Sequence, residues 1–371
     1  MSAAPAIDTQ YLLQQLAAML AIPSPSGFTD EVVHYVAEEL ARLGIEVHIT
    51  RRGTVVGHMA GQNARPARAV ANHLDTIGAM VKAIKPNGRL QLTPLGTWSS
   101  RFAEGGKVTV FTRNGAYRGQ VLPILASGHA FNERVDLLEI SWDAVELRLN
   151  EDVFTAEETE ALGIRPGDTV AFDPDPEFCA NGYLLSRHLD DKAGAAALLA
   201  ALKYLRDQAI TPSQDLYALF TVTEEVGTGA SSSLPPEVEE LVGIDIGPVA
   251  AGQNAREKGV TLCALDTSGP FDRHLTRHLR ELCRRDGIAH QMDVYRYYYS
   301  DANAALMAGH DVRDALITFG TDATHGYERT HLDSLESVAR LVVSYAQSPP
   351  VDVAEPPGPV TTVDVSQAQR V

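Results

Sequence analysis

The sequence predicts an α/β protein that carries an inserted all-β, barrel-like domain. Two observations lead to this fold class. Apolar, β-prone runs alternate with helical patterns before residue 77 and again after residue 177, as in an open α/β sheet. Between these two parts, from Gly78 to about Pro176, the chain consists of short β-prone pieces broken by glycine and proline. All-β character within an α/β pattern is typical of an inserted β domain.

The elements before the insert are two helices and three strands, predicted at 8–21, 29–44, 46–50, 54–59 and 69–75. Thr29, followed by two acidic residues, is predicted to cap the second helix. After the insert we predict an alanine-rich helix, two strands, a basic helix, a further strand and a final helix, at 195–202, 216–223, 241–247, 271–285, 315–319 and 334–347.

This pattern divides the chain into four segments. Residues 1–76 and 177–348 form one α/β domain, and residues 77–176 form the inserted β-barrel. Residues 349–371 are rich in proline and have little apolar surface to bury, so we predict a disordered tail.

Composition excludes several classes of partner. The chain of 371 residues has 31 Lys and Arg against 48 Asp and Glu, and the resulting net charge of −17 argues against binding to nucleic acid or anionic membrane. No apolar stretch has the length of a membrane span, and the N-terminus lacks signal-peptide features, so a cytoplasmic location is predicted. The three cysteines lack Cys-X-X-Cys spacing and are predicted to be free thiols.

A turn with two adjacent carboxylates, Asp190 and Asp191, leads directly into the alanine-rich helix. One interpretation is helix capping, because either side chain could accept the first N–H groups of the helix. The other is a functional site, and acids and imidazoles elsewhere in the chain favour it.

Acids and imidazoles also lie within or after other strand-like runs. They are His73, Asp75, Glu224, Glu225, Asp245, His325 and His331. In an open α/β sheet, ligands bind beyond the carboxyl ends of the strands, so these side chains are expected to lie together. Several oxygen ligands with two or more imidazoles suit a divalent metal ion, zinc first.

The motifs resemble those of the tetrahedral aminopeptidases, a family of dinuclear zinc metallopeptidases that includes glutamyl aminopeptidases and proteins labelled endoglucanase M. The resemblance covers residues 8–347 and is carried by His73-Leu74-Asp75, Leu189 to Gly194, Glu224 to Gly227, Gly243-Ile244-Asp245 and His331. It implies a mixed-sheet metallopeptidase catalytic domain, a barrel used in subunit assembly, and a homo-oligomer based on dimers, in the family a dodecamer.

The resemblance also implies a role for each site residue. Asp190 would bridge two divalent metal ions, most simply zinc, with cobalt or manganese as alternatives. His73 and Asp245 would complete one metal site, and Glu225 and His331 would complete the other. Glu224 would be the general base, and Asp75 would orient His73.

Two basic residues near the last ligand leave alternatives open. His325 competes with His331 because both follow the same predicted strand, and the family's end motif favours His331. His325 and Arg329 are then predicted to bind the substrate.

The substrate is also open, because this chain has Asp190-Asp191-Lys192 where the family usually has Asp-Asp-Arg. An aminopeptidase acting on small peptides is the first expectation. A subgroup associated with the osmolyte N-acetylglutaminylglutamine amide suggests instead an amidase or dipeptidase acting on an N-acylated dipeptide. A third alternative is a non-catalytic assembly protein on a peptidase scaffold.

Overall fold

The computed structural model describes residues 5–351. Its α-helices are α1 (Thr9–Leu20), α2 (Asp30–Arg42), α3 (Gly128–Phe131), α4 (Ala156–Ala161), α5 (Leu189–Asp207), α6 (Arg273–Asp286), α7 (Asp301–Met307) and α8 (Leu332–Gln347). Single 3₁₀ turns lie at Ser100–Phe102, Asn132–Arg134, Trp142–Ala144 and Gly229–Ser232. No helix in this part of the chain is long and apolar enough to cross a membrane.

The strands before α5 are β1 (Glu46–Ile49), β2 (Val55–Met59), β3 (Asn63–His73), β4 (Gly78–Ile84), β5 (Leu90–Leu95), β6 (Lys107–Thr112), β7 (Gly115–Pro123), β8 (Val145–Leu149), β9 (Thr169–Phe172), β10 (Glu177–Phe178) and β11 (Tyr183–Ser186). Those after it are β12 (Gln214–Thr221), β13 (Val238–Pro248), β14 (Val260–Cys263), β15 (Leu265–Asp266), β16 (Gly269–Pro270), β17 (His290–Asp293), β18 (Arg313–Thr321) and β19 (Glu328–His331).

An eight-stranded mixed sheet forms the centre of the α/β part, in the order β1-β2-β12-β3-β13-β18-β14-β17. The four middle strands, β12, β3, β13 and β18, are mutually parallel. Strands β2 and β14 pair antiparallel on either side of them. The expected α/β fold with a mixed sheet is therefore confirmed.

Apolar side chains alternate between the two faces of this sheet. On β3, Val70 packs into the larger core with α1, α2, α5, α6 and α8, whereas Ala69 and Ala71 face a smaller core that includes residues of α7. Phe220 and Leu219 divide in the same way on β12. Because successive strand residues point to opposite faces, a strand covered on both sides needs a continuous apolar run, as β3 and β12 have.

The insert is a closed barrel of six strands in the order β4-β5-β8-β7-β6-β9. Its interior is a separate apolar core that includes Val81, Leu92, Val108, Val121 and Val170. The barrel strands occupy residues 78–172, within the predicted insert of 77–176. Closure leaves the barrel without an unpaired sheet edge.

Helix starts agree only in part with the expected caps. Thr29 is the N-cap residue of α2, but its side chain makes no capping hydrogen bond, and the acidic residues Asp30 and Glu31 lie in the first turn. At α1 the Asp8 carboxylate accepts the N–H of Tyr11 at 3.0 Å. Acids in a first turn stabilise the helix through its dipole without a direct bond.

The first residues of the predicted tail are anchored to the α/β domain. The Pro349 carbonyl accepts a hydrogen bond from buried Arg68, and the N–H of Val351 donates to Glu240. The rest of the predicted tail, from residue 352, lies outside the described residues.

Candidate dinuclear metal centre

Four parallel strands bring the candidate ligands to one edge of the sheet. His73 is the last residue of β3, and Asp245 lies near the end of β13. Glu224 and Glu225 follow β12, and His325 follows β18. These strands are neighbours and run in the same direction, so their carboxyl ends converge, as expected for an open α/β sheet.

His73, Asp190 and Asp245 form the first group of candidate ligands. One ligand atom from each lies within 4.8 Å of the others, and all three side chains are buried. The His73 Nε2 atom is 3.1 Å from Asp190 Oδ1. On the other side of the ring, Nδ1 is 2.9 Å from the Asp75 carbonyl oxygen, a bond that leaves Nε2 free for a ligand.

Asp190, Glu225 and His325 form the second group, also within 4.8 Å of one another. The His325 Nε2 atom is 3.3 Å from Asp190 Oδ2 and 3.4 Å from Glu225 Oε2. Its Nδ1 atom is 3.0 Å from the Thr97 carbonyl oxygen, which fixes this ring in the same way as that of His73. Asp190 thus directs one carboxylate oxygen to each group.

His331, the predicted last ligand, is not brought to either group, and His325 lies where that ligand was expected. His331 Nδ1 accepts the N–H of Asp333, and its Nε2 atom is 3.0 Å from the Asn181 carbonyl oxygen. The strand register explains the separation, because Glu328 pairs with Ser186 next to the Asp190 turn and His331 pairs with Tyr183 at the far end. Three residues along a strand amount to roughly 10 Å.

Helix capping does not explain the two acids of the turn. The N-cap residue of α5 is His188, and neither Asp190 nor Asp191 has helical backbone angles. The Asp190 carboxylate faces His73 and His325 instead. The peptide bond between Asp190 and Asp191 is cis.

Glu328 contacts the second ligand group, although the sequence predicted no role for it. Its carboxylate accepts the N–H of Asp190 at 3.1 Å and the N–H of His325 at 2.9 Å, and it is almost fully buried. It therefore holds the two chain segments that carry the second ligand group. The only signal in the sequence is an acid in a β-prone run three residues after a candidate histidine.

Asp75 makes more contacts than its predicted role of orienting His73 requires. Its carboxylate accepts the Ser26 hydroxyl at 2.6 Å and the N–H groups of Glu224 and Glu225 at 3.1 and 3.3 Å. The closest distance from its carboxylate to the His73 ring is 3.6 Å. Asp75 thus fixes the backbone that presents the candidate base and the neighbouring ligand.

Glu224 belongs to neither ligand group but borders the first. Its Oε2 atom is 3.7 Å from His73 Nε2, and its side chain lines the same cleft as Asp190, Glu225 and Asp245. Burial raises the pKa of Glu224 well above its ordinary value, an effect that the His73 ring opposes and the Asp245 carboxylate reinforces.

The electrostatics of the two groups fit bound cations. Burial, with the Asp190 charge, raises the pKa of Asp245 well above its ordinary value, and burial raises that of Glu225 to about 8. Burial alone would lower the pKa of His325, but the Glu225 and Asp190 carboxylates raise it to about 10. Buried Lys192 does not balance these acids, because its Nζ atom donates to the carbonyls of Met19 and Ile22. Carboxylate oxygens and imidazole nitrogens in a desolvated cluster are suitable ligands for zinc-like divalent ions.

Arg329, predicted to bind the substrate, lies elsewhere. Its Nε and Nη2 atoms donate to both Glu257 oxygens at 2.7 and 2.8 Å, and its guanidinium lies over the Tyr183 ring. It does not line the cleft at the ligands. His325, the other predicted substrate contact, does line the cleft but sits in a ligand position.

The cleft above the ligands has a volume of about 780 Å³. Besides the acids, its walls include Tyr297, Tyr298 and Tyr299. These tyrosines lie in an irregular segment before α7. A large cleft and the candidate ligands thus coincide, as in enzyme active sites.

Comparison with known proteins finds relatives that match nearly the whole chain. The protein YhfE of Bacillus subtilis, whose name assigns it aminopeptidase activity provisionally, is 37% identical over 340 residues, covering 91% of this chain and 98% of its own. A TET aminopeptidase from a marine-sediment Thaumarchaeota archaeon has the same fold, with a TM-score of 0.83 and 22% identity over 92% of this chain and 97% of its own. Pyrococcus horikoshii TET1 is described as assembling into a tetrahedron or a large octahedral shell. It matches with a TM-score of 0.79 and 23% identity over 91% of this chain and 99% of its own.

A family profile provides the assignment. The profile of the M42 glutamyl aminopeptidases matches residues 53–341, which include the barrel and all the candidate ligands. Given a match of this extent and a relative of nearly the same length, the chain is a peptide-bond hydrolase that belongs to the M42 aminopeptidase family.

Proposed function

We propose that the protein is a dinuclear metal-dependent aminopeptidase that removes the N-terminal residue from small peptides. The observation that carries this proposal is the placement of Asp190 between two ligand groups. Its Oδ1 atom lies 3.1 Å from the His73 ring and its Oδ2 atom lies 3.3 Å from the His325 ring. A carboxylate in that position can bridge two cations.

Each ligand group would hold one divalent ion, most simply zinc. His73, Asp190 and Asp245 would bind the first ion, and Asp190, Glu225 and His325 would bind the second. Cobalt and manganese accept the same types of ligand. When bound, the two ions supply Lewis-acid activation of water and of the scissile carbonyl.

Glu224 is the proposed general base. Its carboxylate takes a proton from the attacking water and returns it to the leaving amine nitrogen as the C–N bond breaks. Its raised pKa, a result of burial, suits a group that must hold that proton between the two transfers. Asp75 positions Glu224 and Glu225 through their backbone N–H groups.

A second candidate function is an amidase or dipeptidase acting on an N-acylated dipeptide such as N-acetylglutaminylglutamine amide. One observation favours it: no Lys or Arg is among the residues that line the cleft in the described part of the chain. A blocked dipeptide has neither a free amine nor a carboxylate, so it needs no cationic partner. The third alternative, a non-catalytic assembly protein, is disfavoured by the complete set of ligands and base.

The deciding experiment compares free and blocked substrates with the metal-loaded protein. We expect alanyl and leucyl p-nitroanilides to be hydrolysed and their N-acetyl counterparts to be resistant. Hydrolysis of only the blocked compounds would favour the acyl-dipeptide activity. Failure to hydrolyse either set, with two ions bound per chain, would contradict the proposed hydrolase mechanism.

We also propose that the chain forms a homo-oligomer through its barrel. This oligomer is built from dimers, up to a dodecamer. The structural neighbour that assembles into shells supports this proposal. A cytoplasmic location stays a prediction.

A further inference from the structure

We infer that the active site selects peptides whose N-terminal side chain is uncharged and apolar, and aromatic side chains above all. This inference rests on the proposed aminopeptidase function. It concerns the wall of the cleft next to the ligands, where Val226, Tyr297 and Tyr299 form what we call the apolar rim.

The apolar rim is unusually exposed for its residue types. Tyr297 is 84% exposed, Tyr299 is 56% exposed and Val226 is 48% exposed. The valine directly follows Glu225, so the rim adjoins a metal ligand. Large apolar side chains exposed together in a concave site indicate a surface that a ligand covers.

The segment that carries the two tyrosines is held in place by the residue between them. The Tyr298 hydroxyl donates to the Ile246 carbonyl at 2.7 Å, next to Asp245, and its N–H donates to Thr267 at 2.8 Å. Tyr298 is therefore anchored to the strand that carries a ligand. The flanking residues Tyr297 and Tyr299 thus lie in a segment that is anchored next to Asp245.

Within the described residues, the side chains that line the cleft include no Lys or Arg to pair with an acidic substrate side chain. The four carboxylates of the cleft are those of the proposed ligands and Glu224, and two divalent ions would cancel their charge. Arg329 is paired with Glu257, and Arg296, which is not among the lining residues, lies over the Tyr297 ring. An acidic or basic substrate side chain would lose hydration here without gaining an ion pair, whereas an apolar one would bury surface against the rim.

The test measures kcat/KM for phenylalanyl, leucyl, alanyl, lysyl and glutamyl p-nitroanilides. We expect phenylalanyl and leucyl substrates to exceed glutamyl and lysyl ones by at least about tenfold. Tyr299→Ala and Tyr297→Ala should lower the phenylalanyl to alanyl ratio, mainly through KM, and Tyr299→Phe should restore it. Phe154→Ala, which removes an aromatic ring that is 74% exposed on the inserted domain, is the matched control and should leave that ratio unchanged.

Binding without turnover gives a second readout. Calorimetry should show tighter binding of free phenylalanine than of glutamate or lysine, and the difference should shrink in Tyr299→Ala. A glutamyl or lysyl preference, or unchanged ratios in both tyrosine variants, would overturn the inference while leaving the aminopeptidase function intact. Absence of cleavage of every free-amine substrate would instead overturn the proposed function.

Discussion

Adjacent Glu224 and Glu225 have separate contacts, so their variants should differ. Glu225 lies within the second ligand group, whereas Glu224 borders the first without joining it. We expect Glu224→Gln to keep both ions and to lose about a hundredfold to ten-thousandfold in kcat with little change in KM. Glu225→Gln should lose one ion. Metal content and kinetics of both variants would check this, and the reverse pattern would exchange the two roles.

Variants of His325 and His331 test which histidine is the last ligand. The structure places His325 in the second ligand group, whereas the family motif predicts His331. His325→Ala should reduce the bound ions from two to one per chain, because it removes a nitrogen 3.3 Å from the bridging Asp190. His331→Ala is the matched control and should keep both ions, since that ring belongs to neither ligand group and instead contacts Asn181, Asp333 and Tyr183. Elemental analysis after reconstitution gives the answer, and metal loss in the His331 variant alone would restore the original assignment.

Glu328 should matter for metal affinity although it is not itself a proposed ligand. In Glu328→Gln one oxygen becomes an NH₂ group, which cannot accept the N–H of Asp190 or His325. We expect metal affinity to fall by about tenfold to a hundredfold, as for other groups that orient ligands. Competition with a chelator measures the loss. Glu257→Gln, which changes a carboxylate outside the cleft, should retain wild-type affinity.

At the scale of elements, one buried arginine ties β3 to β13 and to the end of α8. Arg68 donates to the Glu240 carboxylate at 2.8 Å and to the carbonyls of Tyr345 and Pro349 at 2.7 and 2.6 Å. Arg68 is only 1% exposed and Glu240 only 3%. These bonds hold the C-terminal end of α8 against strands whose opposite ends carry the active site.

Removing that arginine should therefore destabilise the fold strongly. Arg68→Met leaves the Glu240 charge buried without its ion-pair partner, which typically costs about 3–5 kcal/mol in the free energy of unfolding. Urea titration would measure it. Arg340→Met, which breaks a partly exposed pair with Glu336 on α8, should cost less than about 1 kcal/mol. Similar losses in both variants would contradict a special role for Arg68.

At the scale of the whole molecule, the inserted domain exposes a large apolar side chain to solvent. Leu137 is 80% exposed. Because we propose that the barrel domain mediates assembly, we expect this leucine to lie in a subunit contact.

Introducing a charge there tests the proposed assembly. Leu137→Glu should shift the oligomer to smaller species in light scattering, because an unpaired charge at an apolar contact is costly. Met307→Glu is the matched control on the α/β domain, where the methionine is 78% exposed, and it should leave the oligomer intact. An unchanged particle size in Leu137→Glu would remove this surface from the interface.

The sequence alone determined the fold class and most of the proposed ligand set. Apolar runs long enough for strands covered on both faces predicted β3, β12 and β13, and the Gly- and Pro-broken insert predicted the barrel. The resemblance to the tetrahedral aminopeptidases assigned His73, Asp190, Glu225 and Asp245 to that ligand set. The convergence of parallel strand ends, a general rule, supports the placement of His73, Glu225 and Asp245.

Only the tertiary structure distinguishes the positions of His325 and His331 and shows the contacts of Glu328. Both histidines follow β18, and their side chains have the same chemistry. The pairing of β19 with β11 places Glu328 beside the Asp190 turn and His331 roughly 10 Å along the strand, while a contact with the Thr97 carbonyl turns His325 toward Asp190. Such contacts join residues more than a hundred positions apart, and local patterns carry no information about strand register.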